Sequence, residues 1–303
     1  MNFGMNLNPH LNNIIYHSIK NMINKLKLLS AASLILLSAV SCNSNKKKET
    51  VLSAVSDTSK AISVKTEEII YSGDGVNMKG FVAYNETLSS LSPIVLIVPE
   101  WWGIGDYTKG RAKQLAELGY FAFAIDMYGE GKTAESPDEA GKLAGPFYTN
   151  IKMAAARFEA ALAKIKTYPG ADTNRIAAIG YCFGGAVVLN MARLGEPLKG
   201  VVSFHGNLIG VPVDKKLLKA DILVCHGEAD SFVLPAEVAT FKKQMDSIGA
   251  SYTFKSYPGA THAFTNPNAD AKAKKFNMPI AYNAAADTAS FNEMKMFLQR
   301  IFK

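Results

Sequence analysis

Apolar and polar positions change their period along the chain, and the changes separate strands from helices. Ile94-Val95-Leu96-Ile97-Val98 is a continuous apolar run, the pattern of a strand buried on both faces. The segments 120–125, 175–179, 200–204, 221–225 and 252–257 read as further strands. Ahead of them, 67–71 and 78–84 are short β-prone runs around Ser72-Gly73-Asp74-Gly75, which predicts an antiparallel hairpin. Apolar residues recur at helical spacing over 108–118, 151–165, 183–194, 235–248 and 291–302, and Gly119, Gly195 and Gly249 stop three of these helices. Strands alternate with helices after the hairpin. This order predicts an α/β fold with one open, mostly parallel sheet of about eight strands and helices on both faces. The stretches 129–150 and 264–283 are long connections, expected at the surface near any site.

The N-terminal region follows different rules. Lys25 and Lys27 precede the short apolar run 28–37, and small residues follow, which is the layout of a secretory signal. The run is too short to span a bilayer comfortably. It ends in Ala39-Val40-Ser41-Cys42, which resembles the lipobox of bacterial lipoproteins, with Ala39 where Leu is usual. Residues 1–42 are therefore expected to be a signal peptide with Cys42 as the lipidated residue, and Met22 makes residues 1–21 read as an upstream extension. Residues 43–65, rich in Ser, Lys, Thr and Asn, read as a flexible tether to a folded domain over 66–303. The expectation is an exported protein anchored by lipid to the bacterial cell envelope, on the periplasmic side or at the outer membrane, and a monomer.

Composition narrows the function. With 48% hydrophobic and 19% charged residues, the 303-residue chain is globular and neither disordered nor a disulfide framework. The formal charge of +7 comes from 33 basic and 26 acidic residues. Lys20, Lys25 and Lys27 fall within the first 41 residues, which hold no acid, so the remainder carries 30 − 26 = +4. So small an excess does not point to nucleic acid. If Cys42 carries lipid, Cys182 and Cys225 remain in different apolar runs and are expected to be free thiols.

The strongest chemical signal is Gly180-Tyr181-Cys182-Phe183-Gly184-Gly185, between a buried strand and a helix. It matches the nucleophile elbow of the α/β-hydrolase fold with Cys in place of Ser. Glycines permit the sharp turn, and a helix N-terminus favours a thiolate. Such folds place an acid and then a histidine after the nucleophile. Asp230 lies just past the 221–225 strand and His262 just past the 252–257 strand, so three side chains at strand ends can converge. Each alone also has an ordinary reading, Asp230 as a turn acid and His262 as a loop histidine. Cys225 reads as core. His205 and His226 each end a strand, but no ligand spacing supports a metal. Gly103-Ile104-Gly105 lacks the third glycine and the acid of a dinucleotide fingerprint.

Together with Val98-Pro99-Glu100-Trp101-Trp102-Gly103, His226-Gly227-Glu228-Ala229-Asp230 and His262-Ala263-Phe264, the elbow resembles the dienelactone hydrolase family from about residue 67 to 302. The resemblance implies a Cys182–His262–Asp230 triad, with Glu100 helping to deprotonate the thiol. It also implies an oxyanion hole from the backbone N–H groups of Trp101 and Phe183, and no cofactor or metal. A strand-end pairing of Glu100 with Arg111 is the structural alternative. Family members that act on dienelactone hold its carboxylate with two arginines. One follows the Asp-x-Tyr after the second parallel strand, where this chain has Asp126-Met127-Tyr128-Gly129-Glu130; the other lies at Asn266. Without them a neutral or differently charged ester, lactone or thioester is expected, with Trp102, Tyr128 and Phe264 as candidate pocket residues beside Trp101. The expected activity is a cysteine-dependent hydrolysis of a small-molecule carboxylic ester or lactone through an acyl thioester. The alternatives are a thioesterase or small-peptide hydrolase with the same triad, or an inactive envelope binding protein.

Overall fold

The computed structural model describes residues 62–303. The expected signal peptide, Cys42 and the expected tether up to residue 61 lie outside the described residues; of the tether expected over 43–65, Val64 and Lys65 already belong to the first strand.

Eight strands form one sheet in the order β1-β2-β4-β3-β5-β6-β7-β8. β1 (Val64–Gly73) and β2 (Val76–Asn85) are the hairpin, with Val64 opposite Asn85 and Gly73 opposite Val76. Both run past the apolar segments that predict them. Lys65 and Thr66 are exposed and carry no hydrophobic signal; backbone pairing, with Lys65 set over the Tyr84 ring opposite it, holds them in the strand. β2 joins β4 (Phe121–Ala124) antiparallel. From β4 onward, β3 (Ser92–Val98), β5 (Ala171–Tyr181), β6 (Gly200–Phe204), β7 (Asp221–Gly227) and β8 (Tyr252–Tyr257) pair in parallel. The chain steps one way from β3 to β4 and the other way to β5. The crevice at the C-terminal ends of β3 and β5 is thus a topological switch point, where open α/β sheets bind ligands.

Each buried strand feeds two cores. Ile94, Leu96 and Val98 face one side, with Phe158 of α3 (Ile151–Ile165), Val187 of α4 (Phe183–Leu194) and Phe241 of α5 (Pro235–Ile248). Val95 and Ile97 face the other, with Leu115 of α1 (Asp106–Glu117) and Phe297 of α7 (Ala284–Ile301). This period-two division is why the strands read as unbroken apolar runs.

Two helices lie in the stretches expected to be connections. α2 (Pro137–Thr149) carries Gly141, Gly145 and Pro146, which weaken its helical signal, yet Ser136 caps it by accepting from the Glu139 N–H and Phe147 anchors it in the core. α6 (Ala269–Phe276) buries only Ala269, so it lacks an apolar stripe to read. α7 begins seven residues before the expected start at 291, because the Asn283 side chain accepts from the Ala286 N–H at 3.0 Å and caps an alanine-rich first turn. Among the described residues no helix is long and apolar enough to cross a membrane.

Candidate active site

β5 ends at Tyr181 and α4 begins at Phe183, so Cys182 alone makes the turn. Its φ of 52° and ψ of −116° lie outside the basins open to residues with a Cβ. Three glycines make the turn possible. A Cβ on Gly180 would lie 2.0 Å from the Gly184 carbonyl oxygen, one on Gly184 would lie 2.1 Å from that of Val98, and one on Gly185 would meet the Ser203 Oγ at 2.6 Å. The elbow is thereby pressed against the ends of β3 and β6.

The residues expected from separate strand ends meet here. His262 Nε2 lies 3.0 Å from Cys182 Sγ, and His262 Nδ1 donates to Asp230 Oδ2 at 2.8 Å. The other Asp230 oxygen accepts from the Phe232 N–H at 2.8 Å, which fixes the carboxylate. Asp230 and His262 are both buried. Burial disfavours a charged His262 ring, but the Cys182 sulfur and the Asp230 carboxylate outweigh it and hold the imidazole well above its ordinary value. At this spacing a proton can pass between the sulfur and the ring.

Glu100 lies at the C-terminal end of β3, where the Gly103 N–H donates to its carbonyl in a tight turn. Its carboxylate accepts from Asn266 Nδ2 at 2.6 Å. Arg111 is not its partner: the guanidinium pairs with Asp287 and donates to the Thr265 carbonyl at 2.8 Å, bracing the histidine loop from behind. Burial pushes the Glu100 carboxyl up from the usual carboxylate range, against the Asn266 hydrogen bond. A carboxyl raised in this way stabilises the fold while protonated and loses that contribution as pH rises through its folded value, so Glu100→Gln is expected to raise the melting temperature more at about pH 8 than at about pH 4. Equal shifts at the two pH values would mean that Glu100 is effectively solvated.

One residue of this network was visible in the sequence only as a strand-end histidine. The Cys182 N–H donates to His205 Nδ1 at 3.1 Å as well as to the Phe204 carbonyl at 3.0 Å. On its far side, His205 Nε2 lies 2.7 Å from Thr265 Oγ1, which lies 2.6 Å from the Tyr107 hydroxyl. Burial, reinforced by His262, holds His205 well below its ordinary pKa, so it stays neutral and its Nδ1 accepts. His205 thus ties the elbow backbone to the loop that carries His262.

A cavity of about 330 Å³ opens over Cys182, Glu100 and His262. Trp101, Trp102, Phe232 and Ile280 give it apolar walls. Phe276 of α6 stacks on Trp102 at 6.0 Å, and Lys272 Nζ stands 3.7 Å from the same ring. Tyr128 and Phe264 lie outside the lining. Tyr128 is buried against Phe147 and Phe183 and donates to the Trp101 carbonyl at 2.9 Å, so it supports the turn after Glu100. Phe264 is wholly buried between His205 and Tyr257. Tyr148, Asn207 and Met278 line the cavity without having been expected; Tyr148 and Met278 come from the two long connections. Cys225 is a buried free thiol, pushed up to about 12 by burial, and lies in the core away from this chemistry. Asp126 turns both carboxylate oxygens to backbone N–H groups, those of Lys79, Tyr128, Gly129 and Gly131, and so folds the loop that lacks the arginine.

Comparison with known proteins identifies the family. The model of the dienelactone hydrolase family matches residues 78–302. Protein usf of Aquifex pyrophilus is 31% identical over 198 residues, covering 64% of this chain and 84% of its own. A protein of Aquifex aeolicus named "Putative carboxymethylenebutenolidase" is 30% identical over 202 residues, with the same coverage. Among solved structures, a dienelactone hydrolase-like promiscuous phosphotriesterase from metagenomic libraries superposes with a TM-score of 0.74 at 29% identity, covering 79% of this chain and 99% of that one. Acylaminoacyl peptidase of Pyrococcus horikoshii, at 13% identity and a TM-score of 0.62, shares the fold. With the family model spanning the sheet from β2 to the end of α7 and the elbow in its place, this chain belongs to the dienelactone hydrolase family of ester-acting hydrolases.

Proposed function

We propose that the chain hydrolyses a carboxylic ester or lactone through a thioester on Cys182. The observation that carries this reading is the unbroken line Asp230–His262–Cys182, at 2.8 and 3.0 Å, opening into the cavity. Cys182 gives its proton to His262, and the sulfur attacks the substrate carbonyl carbon. The carbonyl π pair moves to oxygen, where the backbone N–H groups of Trp101 and Phe183 receive it. Phe183 is the first residue of α4, and the leading N–H groups of a helix have no partner within it. The tetrahedral adduct then expels the alkoxide, which takes the proton from His262 and leaves as the alcohol. Water attacks the thioester with His262 as base, the acid departs, and the sulfur is restored. Glu100, with its raised carboxyl at the cavity floor, is a second proton acceptor for the thiol.

The substrate follows from the lining. No Lys or Arg lines the cavity, and Asn266 spends its amide on Glu100. Lys272 stands over Trp102 outside the lining, so a substrate carboxylate would meet Glu100 with no Lys or Arg in the cavity wall to receive it, which favours an uncharged ester or lactone. Mass spectrometry of protein quenched in acid during turnover of a short chromogenic ester tests the mechanism. An acyl mass on the peptide holding Cys182 is expected. Turnover with the acyl group elsewhere, or with no adduct and unimpaired turnover after Cys182 is alkylated, overturns it.

A further inference from the structure

A second cavity adjoins the first. It is an open groove of about 600 Å³, larger than the catalytic cavity, and Tyr148 and Asn207 line both. Its walls come from five places: Thr149 ends α2, Ile151 begins α3, Asn190 lies on α4, Glu237 lies on α5, and Ile209 belongs to the loop after β6. Ile209 is 70% exposed and Tyr148 53%, so apolar side chains stand at the mouth. The Tyr148 ring packs edge-on to Phe183 at 5.6 Å, next to the elbow.

The floor of the groove is polar and carries one formal charge. Glu237 Oε1 accepts from the Leu208 N–H, and from that of Ile209 at 3.2 Å. Both side-chain hydrogen bonds of Glu237 fall on this oxygen, so Oε2 remains to meet a ligand. Arg193 lies beneath the loop, 1% exposed, and donates to the Leu208 carbonyl at 2.7 Å. A Cβ on Gly210 would lie 2.0 Å from Arg193 Nη1, so the loop backbone covers the guanidinium and keeps it out of the lining. The buried cation holds the loop and moderates the charge of Glu237 without offering a contact to an anion.

We propose that this groove is the distal half of the substrate site, taking an uncharged substituent that bears hydroxyl or amide groups and rejecting a carboxylate. The proposal rests on the hydrolase reading. A carbonyl placed at Cys182 fills the smaller cavity, and anything longer has a continuous path past Tyr148 and Asn207. A hydroxyl or amide there can donate to Glu237 and exchange hydrogen bonds with Asn207, whereas a carboxylate is repelled by the like charge of Glu237. The larger half of the site then sets which esters are used, and the smaller half performs the chemistry.

Three esters test this: a short acetate, a longer ester ending in a carboxamide, and its isostere ending in a carboxylate. Thr149→Trp narrows the groove from the exposed end of α2, and the acetate serves as its folding control. In that variant kcat/KM for the carboxamide ester should fall about tenfold while the acetate is unchanged. Glu237→Gln keeps an acceptor for the two loop amides and removes the charge, so the preference for carboxamide over carboxylate should shrink about fivefold. Equal effects of Thr149→Trp on acetate and extended ester, or an unaltered preference in Glu237→Gln, overturn the proposal. A non-hydrolysable amide analogue with the carboxamide extension supplies a readout without turnover: it should protect Cys182 from iodoacetamide in the wild-type protein and not in Thr149→Trp. Protection that depends on Thr149 in a protein that cleaves none of the esters would retain the groove and discard the hydrolase. Protection equal in both proteins would discard the groove.

Discussion

Replacing Cys182 by glycine should give a protein that is more stable than the wild type and inactive. The residue holds φ 52° and ψ −116°, a conformation that costs a residue with a Cβ about 1–3 kcal/mol and costs glycine little. Cys182→Gly removes that strain together with the sulfur, and the side chain removed is only partly buried. Cys182→Ala removes the sulfur and keeps the Cβ, so it should remain folded without the gain. Turnover should fall about 10⁴-fold or more in both, the scale seen when a triad nucleophile is lost. The ordering is the test: Gly above Ala in melting temperature, with both inactive. If Gly melts below Ala, the elbow is not strained. If either variant keeps the wild-type rate, Cys182 is not the nucleophile. In the proposed mechanism the strain is retained because the reaction needs the sulfur where stability alone would favour glycine.

The central strands were legible because burial on both faces leaves an unbroken apolar run, as at Ile94–Val98, where alternate side chains enter the two cores. α4 was legible because an apolar face follows the elbow and Gly195 ends it in the left-handed conformation. α2 was obscured by Gly141, Gly145 and Pro146, and α6 by a composition that buries a single alanine. In both, tertiary contact and capping override a poor local signal.

In the candidate site, residues that declare themselves by local chemistry were legible and residues that act through distant contacts were not. Cys182 has its glycines, and Asp230 and His262 follow strand ends in a fixed order. His205 sits just as plainly at a strand end, but its contact with the Cys182 N–H arises only when β5 and β6 lie side by side. Glu100 and Asn266 are 166 residues apart. Asn266 was noticed for the arginine it is not, and the amide it gives to Glu100 is a property of the fold. Tyr128 and Phe264 show the opposite error. Aromatic residues beside motif positions suggested a pocket, while their rings complete the packing that supports it.

Gly184→Ala should lose both stability and activity, and the coupling of the two losses is its signature. The added Cβ would lie 2.1 Å from the Val98 carbonyl oxygen and 2.6 Å from that of Pro99. Both are backbone atoms at the end of β3, and neither can rotate away. Relief requires α4 to move back from the turn that presents Glu100 and Trp101. Such overpacking costs about 1–3 kcal/mol, and contact with fixed backbone belongs at the upper end or above it. The movement also separates the Phe183 N–H from that of Trp101. In the proposed mechanism both must reach one oxyanion, and loss of a single donor costs about 10²–10³ in kcat. Gly110→Ala on α1 is the control. Nothing lies within 4 Å of its added Cβ, so it should be stabilised by about 0.5–1 kcal/mol with unchanged kcat. A Gly184→Ala protein that melts with the wild type would refute the close approach of α4 to β3. One that melts early but keeps its kcat would show that this approach serves the fold without setting the oxyanion donors. The combined loss would mean that the close approach of α4 to the end of β3 both closes the core and aligns the site.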